Sequence, residues 1–233
     1  MRLNVTQRLL LLASACWFFG EGLLGPLFAV YAEKVGGDLL DITSAWALFL
    51  ITSGILYIVF GKLFRNSTRK KEIMVVGYAL NTIFTFCYLL VENSHQLMLL
   101  QIGLAIAEAI SSPLWDALFA KEMEQTDDVF FWSIAGGHSH LVSGIAIAVG
   151  GAIAYYVSFN ALFIIMGSIQ AIATVIQWRL IFIRPKTAGY AHYGGNFSTK
   201  IKFTNSITGS FFIYVCSVLC ENDIHCRQTQ SQK

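Results

Sequence analysis

Charged side chains are scarce in this chain of 233 residues, and Asp, Glu, Lys and Arg together make up 13% of it. A soluble globular domain carries about 25% charged residues. Hydrophobic residues instead make up 55% of the chain. The composition therefore excludes an ordinary soluble domain and indicates an integral membrane protein. The net charge of +2 is too small to indicate nucleic acid as a partner.

Cysteine is also infrequent, and the five cysteines do not suggest a disulfide framework because their number is odd. Cys216, Cys220, His225 and Cys226 lie close together, but their spacing matches no standard zinc pattern. We therefore predict no metal and no other cofactor. The chain also lacks an H-E-x-x-H pair and a G-x-S-x-G element, so we do not expect an enzyme.

Six long apolar runs are present, each near the length of about 20 residues that a helix needs to cross a bilayer. In lipid such runs form helices, because every backbone polar group must bond within its own segment. The first run is longer than the core of a signal peptide, so we expect it to be retained as a span. The predicted spans are Leu9–Tyr31, Ala45–Leu63, Ile73–Val91, Leu97–Ala120, Phe130–Val157 and Leu162–Ile183.

These spans predict an all-α membrane protein, with a bundle of six transmembrane helices over residues 1–186. Short connections make consecutive helices antiparallel neighbours. The tail at residues 187–233 has a different composition and is predicted to be cytoplasmic. Its apolar segment at 206–220 is too short for a full span and could be a re-entrant piece, a surface helix or a truncated seventh span.

Basic residues predict the orientation of the bundle, because cytoplasmic loops are enriched in Lys and Arg. On the opposite side only Lys34 appears. Both termini should therefore be cytoplasmic, and we expect the protein in the plasma (inner) membrane. The basic residues on the predicted cytoplasmic side are Arg2, Arg8, Lys62, Arg65, Arg69, Lys70, Lys71, Lys121, Arg179, Arg184 and Lys186.

Acidic residues within the spans are the main candidates for function. At about 1.5 Å per residue, Glu21 lies about 18 Å from Leu9, and Glu108 lies about 16 Å from Leu97. Both therefore fall near the middle of the bilayer, where a carboxylate costs about 2.5–3.5 kcal/mol. Asp116 lies nearer the cytoplasmic end. We predict that these acids and His140 are proton-coupling groups, although each could instead serve only to fix helix packing.

The fourth span carries polar residues on one face, since Gln101, Glu108 and Trp115 recur every seven residues. Pro113 lies between the two acids of this span and could kink it. We predict a substrate cavity at this face, and we expect a histidine of the fifth span to line it as well. That histidine could instead serve only helix packing. The expected lining residues of the cavity are Trp17, Gln101, Ser112, Trp115 and His138.

Glycines recur every seven residues on the fifth span, at Gly137, Gly144 and Gly151, with Gly136 and Gly150 beside them. Small residues let the backbones of two membrane helices approach closely. We therefore predict that this repeat serves close helix packing.

The loop between the second and third spans reads GKLFRNSTRKK, from Gly61 to Lys71. It resembles the G-x-L-x-D-R-x-G-R-K loop of the major facilitator superfamily and keeps Gly61, Leu63, Arg69 and Lys70. It has Arg65 at the family's acidic position and Thr68 at its second glycine. The fourth span resembles the family's R-x-x-Q-G-x-G-x-A segment through Gln101, Leu104, Ala105, Ala107, Ala109 and then Pro113. It departs from the segment in having Gln101 in place of the arginine and Glu108 as an added charge.

Together with the six spans, this resemblance implies the amino-terminal half of a major facilitator superfamily fold. Typical members have twelve spans in two halves that enclose a site at the midplane. We therefore expect a homodimer or a second half-transporter chain, unless the sequence is a fragment. The expected partners are membrane lipid and a small-molecule substrate.

The function that these features predict is secondary transport of a small organic solute, coupled to protons. The alternative is a non-transporting scaffold or partner subunit derived from such a half, or a truncated transporter. The two classes differ in whether Glu21 and Glu108 line a wet cavity or are sealed between helices.

Overall fold

The computed structural model describes residues 4–122 and 128–183, and the predicted tail with its segment 206–220 lies outside these residues. The described residues form α-helices and a short 3₁₀ turn, Tyr88–Leu90. The α-helices are α1 (Val5–Leu24), α2 (Leu27–Lys34), α3 (Leu39–Leu63), α4 (Lys70–Cys87), α5 (Ser94–Lys121), α6 (Asp128–Tyr156) and α7 (Phe159–Phe182).

The prediction of an all-helical membrane bundle is confirmed. In the described part of the chain, α3 to α7 are each long and apolar enough to span a bilayer, with α4 counted together with the 3₁₀ turn. The helices α1 and α2 meet the same criteria only as a pair, which is bent by 51°. Five of the six predicted spans therefore correspond to one long helix each, and the first corresponds to this bent pair.

The first span is not one continuous helix from Leu9 to Tyr31, as the length of the apolar run alone suggests. It breaks at Gly25–Pro26, where α1 ends and α2 begins. Gly25 has a positive φ of 20°, which a residue with a side chain rarely adopts. Proline has no backbone N–H to continue the helical bonding. These two residues together explain the bend.

Polar capping residues mark where the helices begin more accurately than hydropathy does. The second span begins at Leu39, earlier than the predicted Ala45, because the Asp38 side chain accepts a hydrogen bond of 2.8 Å from the Asp41 backbone N–H. Asn93 caps α5 in the same way, through the backbone N–H of Gln96. Such caps satisfy backbone donors that a helix start leaves unpaired.

The packing order of the helices places α1 between α6 and α7, and α4 between α5 and α7. Helix α3 packs on α5, and α2 packs on α3. The contacts show that α4 and α7 are antiparallel: the α4 residue Lys71 meets Leu180, whereas Thr82, further along α4, meets the earlier Thr174. The opposite directions of the third and sixth spans are those that alternating consecutive spans require.

The helices differ strongly in how much of their surface the bundle covers. Within the most hydrophobic 18-residue stretch of each span, 61% of the α5 stretch is buried, compared with 11% of the α3 stretch and 17% of the α6 stretch. Helix α5 therefore lies at the centre of the bundle, and its chain continues as a helix through Pro113. Helices α3 and α6 are peripheral and leave most of their surface open.

Candidate functional site

Two acids on different helices lie close enough to interact electrostatically. Glu21 lies on α1 and Glu108 lies on α5, and each carboxyl group is within the other's electrostatic range. Glu108 is 8% exposed, while Glu21 is half-buried and hydrogen bonds with the Trp17 side chain one turn earlier on α1. We refer to Glu21, Glu108 and Asp116 as the acid cluster.

Helix α3 supplies hydrogen-bond partners for both acids of α5. The Ser53 hydroxyl donates to Glu108 Oε2 over 3.3 Å, and the Tyr57 hydroxyl donates to Asp116 Oδ2 over 2.6 Å. Ser53 and Tyr57 are one helical turn apart, so they share one face of α3. Through this face, α3 forms hydrogen bonds to both acids of α5, although α3 is otherwise largely exposed.

Ser53 and Tyr57 are not among the site residues that the sequence predicts. The signal that could reveal them is their spacing of four residues within an apolar run, which places two hydroxyl groups on one side of the helix. That spacing does not say which neighbouring helix the two hydroxyl groups face.

Tyr78 on α4 also lies beside the acid cluster. Its ring packs edge-on against Trp17, with the ring centroids 4.5 Å apart. Its hydroxyl is within the electrostatic range of both Glu21 and Asp116. Aromatic side chains with polar atoms therefore surround the acids on α1, α3 and α4.

The residues on the predicted polar face of α5 contact different elements of the bundle. Gln101 is buried, and its Nε2 lies 3.5 Å from the Tyr88 hydroxyl, to which it donates. The Trp115 Nε1 donates to the backbone oxygen of Leu10 on α1 over 3.2 Å. These two residues and Glu108 thus contact three different elements, while Ser112 is half-buried.

The two histidines of α6 differ in their surroundings. His138 Nε2 is 3.5 Å from the Ser14 hydroxyl on α1, and its Nδ1 is 3.0 Å from the backbone oxygen of Ala135. His140 is exposed. His138 therefore contributes to the packing of α6 on α1.

The residues of the loop motif lie at the surface between α3 and α4. Gly61 and Leu63 are exposed at the end of α3. Arg69 precedes α4, whose first residue is Lys70, and its Nε lies 3.7 Å from the Glu72 carboxylate. Both partners of this pair are more than half exposed, so it contributes little to stability.

The neighbouring Lys71 makes the more specific contact. Its Nζ donates to the backbone oxygens of Leu180 over 3.0 Å and Ile183 over 2.8 Å. A lysine at the carboxyl end of a helix satisfies carbonyl groups that the helix leaves unpaired. Lys71 therefore ties the start of α4 to the end of α7, a role that the sequence analysis does not assign.

Comparison with known families supports the resemblance that the loop and the fourth span suggest. The sequence pattern of the Major Facilitator Superfamily matches residues 10–219. A comparison with curated proteins gives no match. The family match covers most of the chain and includes the acid-bearing helices α1 and α5. The protein is therefore an integral membrane protein that belongs to the Major Facilitator Superfamily, a family of secondary transporters.

Proposed function

We propose that the protein is a secondary transporter that couples the movement of a small organic solute to protons. The observation that carries this proposal is the pair of acids on two facing spans, Glu21 on α1 and Glu108 on α5, within electrostatic range of each other. A carboxyl group inside a span can take up a proton and release it again, which proton coupling needs. Keeping such a group there is costly, and its usual role is functional.

The surroundings of the acid cluster favour an uncharged or positively charged solute. Among the described helices, the basic side chains lie near the helix ends, away from Glu21 and Glu108. The rings of Trp17 and Tyr78 can also contact a cation through their faces. The basic residues of the described helices are Arg8, Lys34, Lys62, Lys70, Lys71, Lys121 and Arg179.

The test is the substitution Glu108→Gln, which keeps the shape of the side chain but removes its titrating group. The variant should insert and fold, because the amide oxygen can still accept the hydrogen bond from Ser53. Uptake of a panel of small organic cations into vesicles should no longer respond to an imposed pH gradient. Glu92→Gln is the matched control, because Glu92 is exposed in the turn between α4 and α5 and should leave coupling unchanged.

Full coupled transport by Glu108→Gln would exclude Glu108 as the proton site. A variant that fails to fold would instead favour the second candidate function, a membrane scaffold or partner subunit. Two contacts support that candidate: Ser53 bonds Glu108 and Tyr57 bonds Asp116, as expected of acids that fix helix packing.

We also propose that both termini face the cytoplasm and that the protein resides in the plasma (inner) membrane. The support is the concentration of basic residues in the connection between α3 and α4 and near the ends of α5 and α7. A tag inserted beside Asn66 should be inaccessible from outside intact cells, and a tag beside Asn93 should be accessible. The reverse result would overturn the orientation.

The working unit, we propose, contains two copies of this chain. The support is the largely open surface of α3 and α6, together with the twelve spans that the resemblance implies for a complete transporter. Two copies related by a two-fold axis form a closed assembly without further open ends. Small-molecule solute and membrane lipid are the other proposed partners.

A further inference from the structure

A second polar region lies between α4 and α7, and neither the acid cluster nor the proposed transport uses it. Asn81 and Thr85 lie one turn apart on α4, and Gln170 lies on α7. We call these three residues the α4–α7 seam. Asn81 is 2% exposed, and Thr85 and Gln170 are fully buried.

The register of the two helices places Thr85 and Gln170 at one level, whereas Asn81 lies about 1.5 Å to the other side of the Thr82–Thr174 contact. The hydroxyls of Thr82 and Thr174 are 3.0 Å apart and fix the register. Because the helices are antiparallel, Thr85 and Gln170 lie on the same side of that contact. At about 1.5 Å per residue they are about 4.5 and 6 Å from it, and so nearly level with each other.

Each seam residue has a buried polar atom without a hydrogen-bond partner in the described part of the protein. These atoms are Asn81 Nδ2, Thr85 Oγ1 and Gln170 Oε1. The orientation of Gln170 is fixed, because its Nε2 donates to the Trp17 backbone oxygen over 3.2 Å. Buried polar groups in folded proteins are almost always hydrogen-bonded, so three such atoms on facing helices need an explanation.

We propose that the α4–α7 seam is a binding site for internal water. Asn81 Nδ2 can only donate, Gln170 Oε1 can only accept, and the Thr85 hydroxyl can do both. Water matches this mixture, since a buried water molecule commonly makes two to four hydrogen bonds to such groups. A cation does not match it, because the amide donor of Asn81 would face it and none of the three residues carries a negative charge.

The bound water links three helices. It joins Asn81 and Thr85 on α4 to Gln170 on α7, and the other end of the Gln170 amide already bonds α1 at Trp17. The seam is therefore a hydrated contact between α1, α4 and α7.

The substitution Thr85→Val tests this site, because valine has nearly the same shape as threonine but no hydroxyl. If Thr85 binds water, the variant leaves that water without one of its partners and lowers the Tm of the full chain in detergent by about 2–4 °C. If the seam is dry, removing an unpartnered hydroxyl raises the Tm. A raised or unchanged Tm would overturn the proposal. Thr43→Val, at an exposed threonine of α3, should leave the Tm unchanged.

An experimental structure of the unsubstituted protein gives a test that does not depend on a variant folding. Ordered water density about 2.7–3.2 Å from both Thr85 Oγ1 and Gln170 Oε1 would support the site. A direct hydrogen bond between these two side chains, with no density between α4 and α7 at this level, would show that the seam binds no water.

Discussion

Each acid of α5 has two physical roles. Glu108 and Asp116 carry the titrating groups expected of a proton-coupled transporter, and each also accepts a hydrogen bond from α3. These two bonds are specific polar contacts that attach α3 to α5, although little of α3 is buried. A change in the charge of either acid would therefore also change how α3 is held.

The bond between Tyr57 and Asp116 is the shorter of the two and should be the stronger. Tyr57→Phe keeps the ring and removes the hydroxyl, which leaves a largely enclosed carboxyl group without this donor. We expect the free energy of unfolding to fall by about 1–3 kcal/mol. Thermal unfolding in detergent measures the change, and Tyr155→Phe at the exposed end of α6 should have no effect. Equal stability of the two variants would show that the Tyr57 bond contributes nothing.

At the scale of the elements, the glycine repeat of α6 shows where sequence spacing misleads. The spacing predicts close packing at Gly137, Gly144 and Gly151, but a side-chain carbon added at any of these would meet no atom within 4 Å. The close approach occurs instead at Gly150, against the Leu23 backbone oxygen of α1. Spacing identifies a face of small residues but does not say which face of α6 meets α1.

This contrast provides a matched pair of substitutions within one helix. Gly150→Ala should destabilise the protein by about 1–3 kcal/mol, because the added methyl group would push α6 away from the α1 backbone. Gly144→Ala should be neutral or stabilise by up to about 1 kcal/mol, since alanine favours a helix over glycine. Thermal unfolding of both variants checks the difference. A loss of stability at Gly144 equal to that at Gly150 would contradict the packing of α6 on α1.

The spans could be predicted from the sequence because lipid leaves the backbone few alternatives. Apolar runs of sufficient length must be helical there, and five of the six spans needed only small corrections at their ends. The acids Glu21 and Glu108 could also be singled out, because their position inside a span is unusual in itself. Their partners Ser53 and Tyr57 could not, because a hydroxyl in a membrane helix becomes informative only once the neighbouring helix is known.

At the scale of the whole molecule, the helices differ in how much of their surface is buried. Helices α5, α4 and α7 form the covered part of the bundle, while α3 and α6 lie at its edges. His140, ten residues into the predicted fifth span, and the glycines Gly137 and Gly144 all lie on the open side of α6. A polar residue at this depth is costly against lipid, so a protein surface opposite it would stabilise the assembly.

The proposed two-copy assembly makes a prediction about mass. The native complex should have twice the 25.9 kDa of a single chain, measured by mass spectrometry from detergent or nanodiscs. Gly144→Trp should reduce this to the mass of one chain without unfolding it, because the indole would occupy the surface where the copies meet. Ile172→Trp, on the exposed side of α7, should leave the dimer intact.

The alternatives give different results in the same experiment. A complex that contains a different chain of similar size would show that a second half-transporter covers α3 and α6. A strictly monomeric protein that still transports would overturn the dimer, because a single bundle would then be sufficient for function. A monomer without transport would favour the scaffold, since the bonds from α3 to Glu108 and Asp116 would then serve helix packing without any solute to carry.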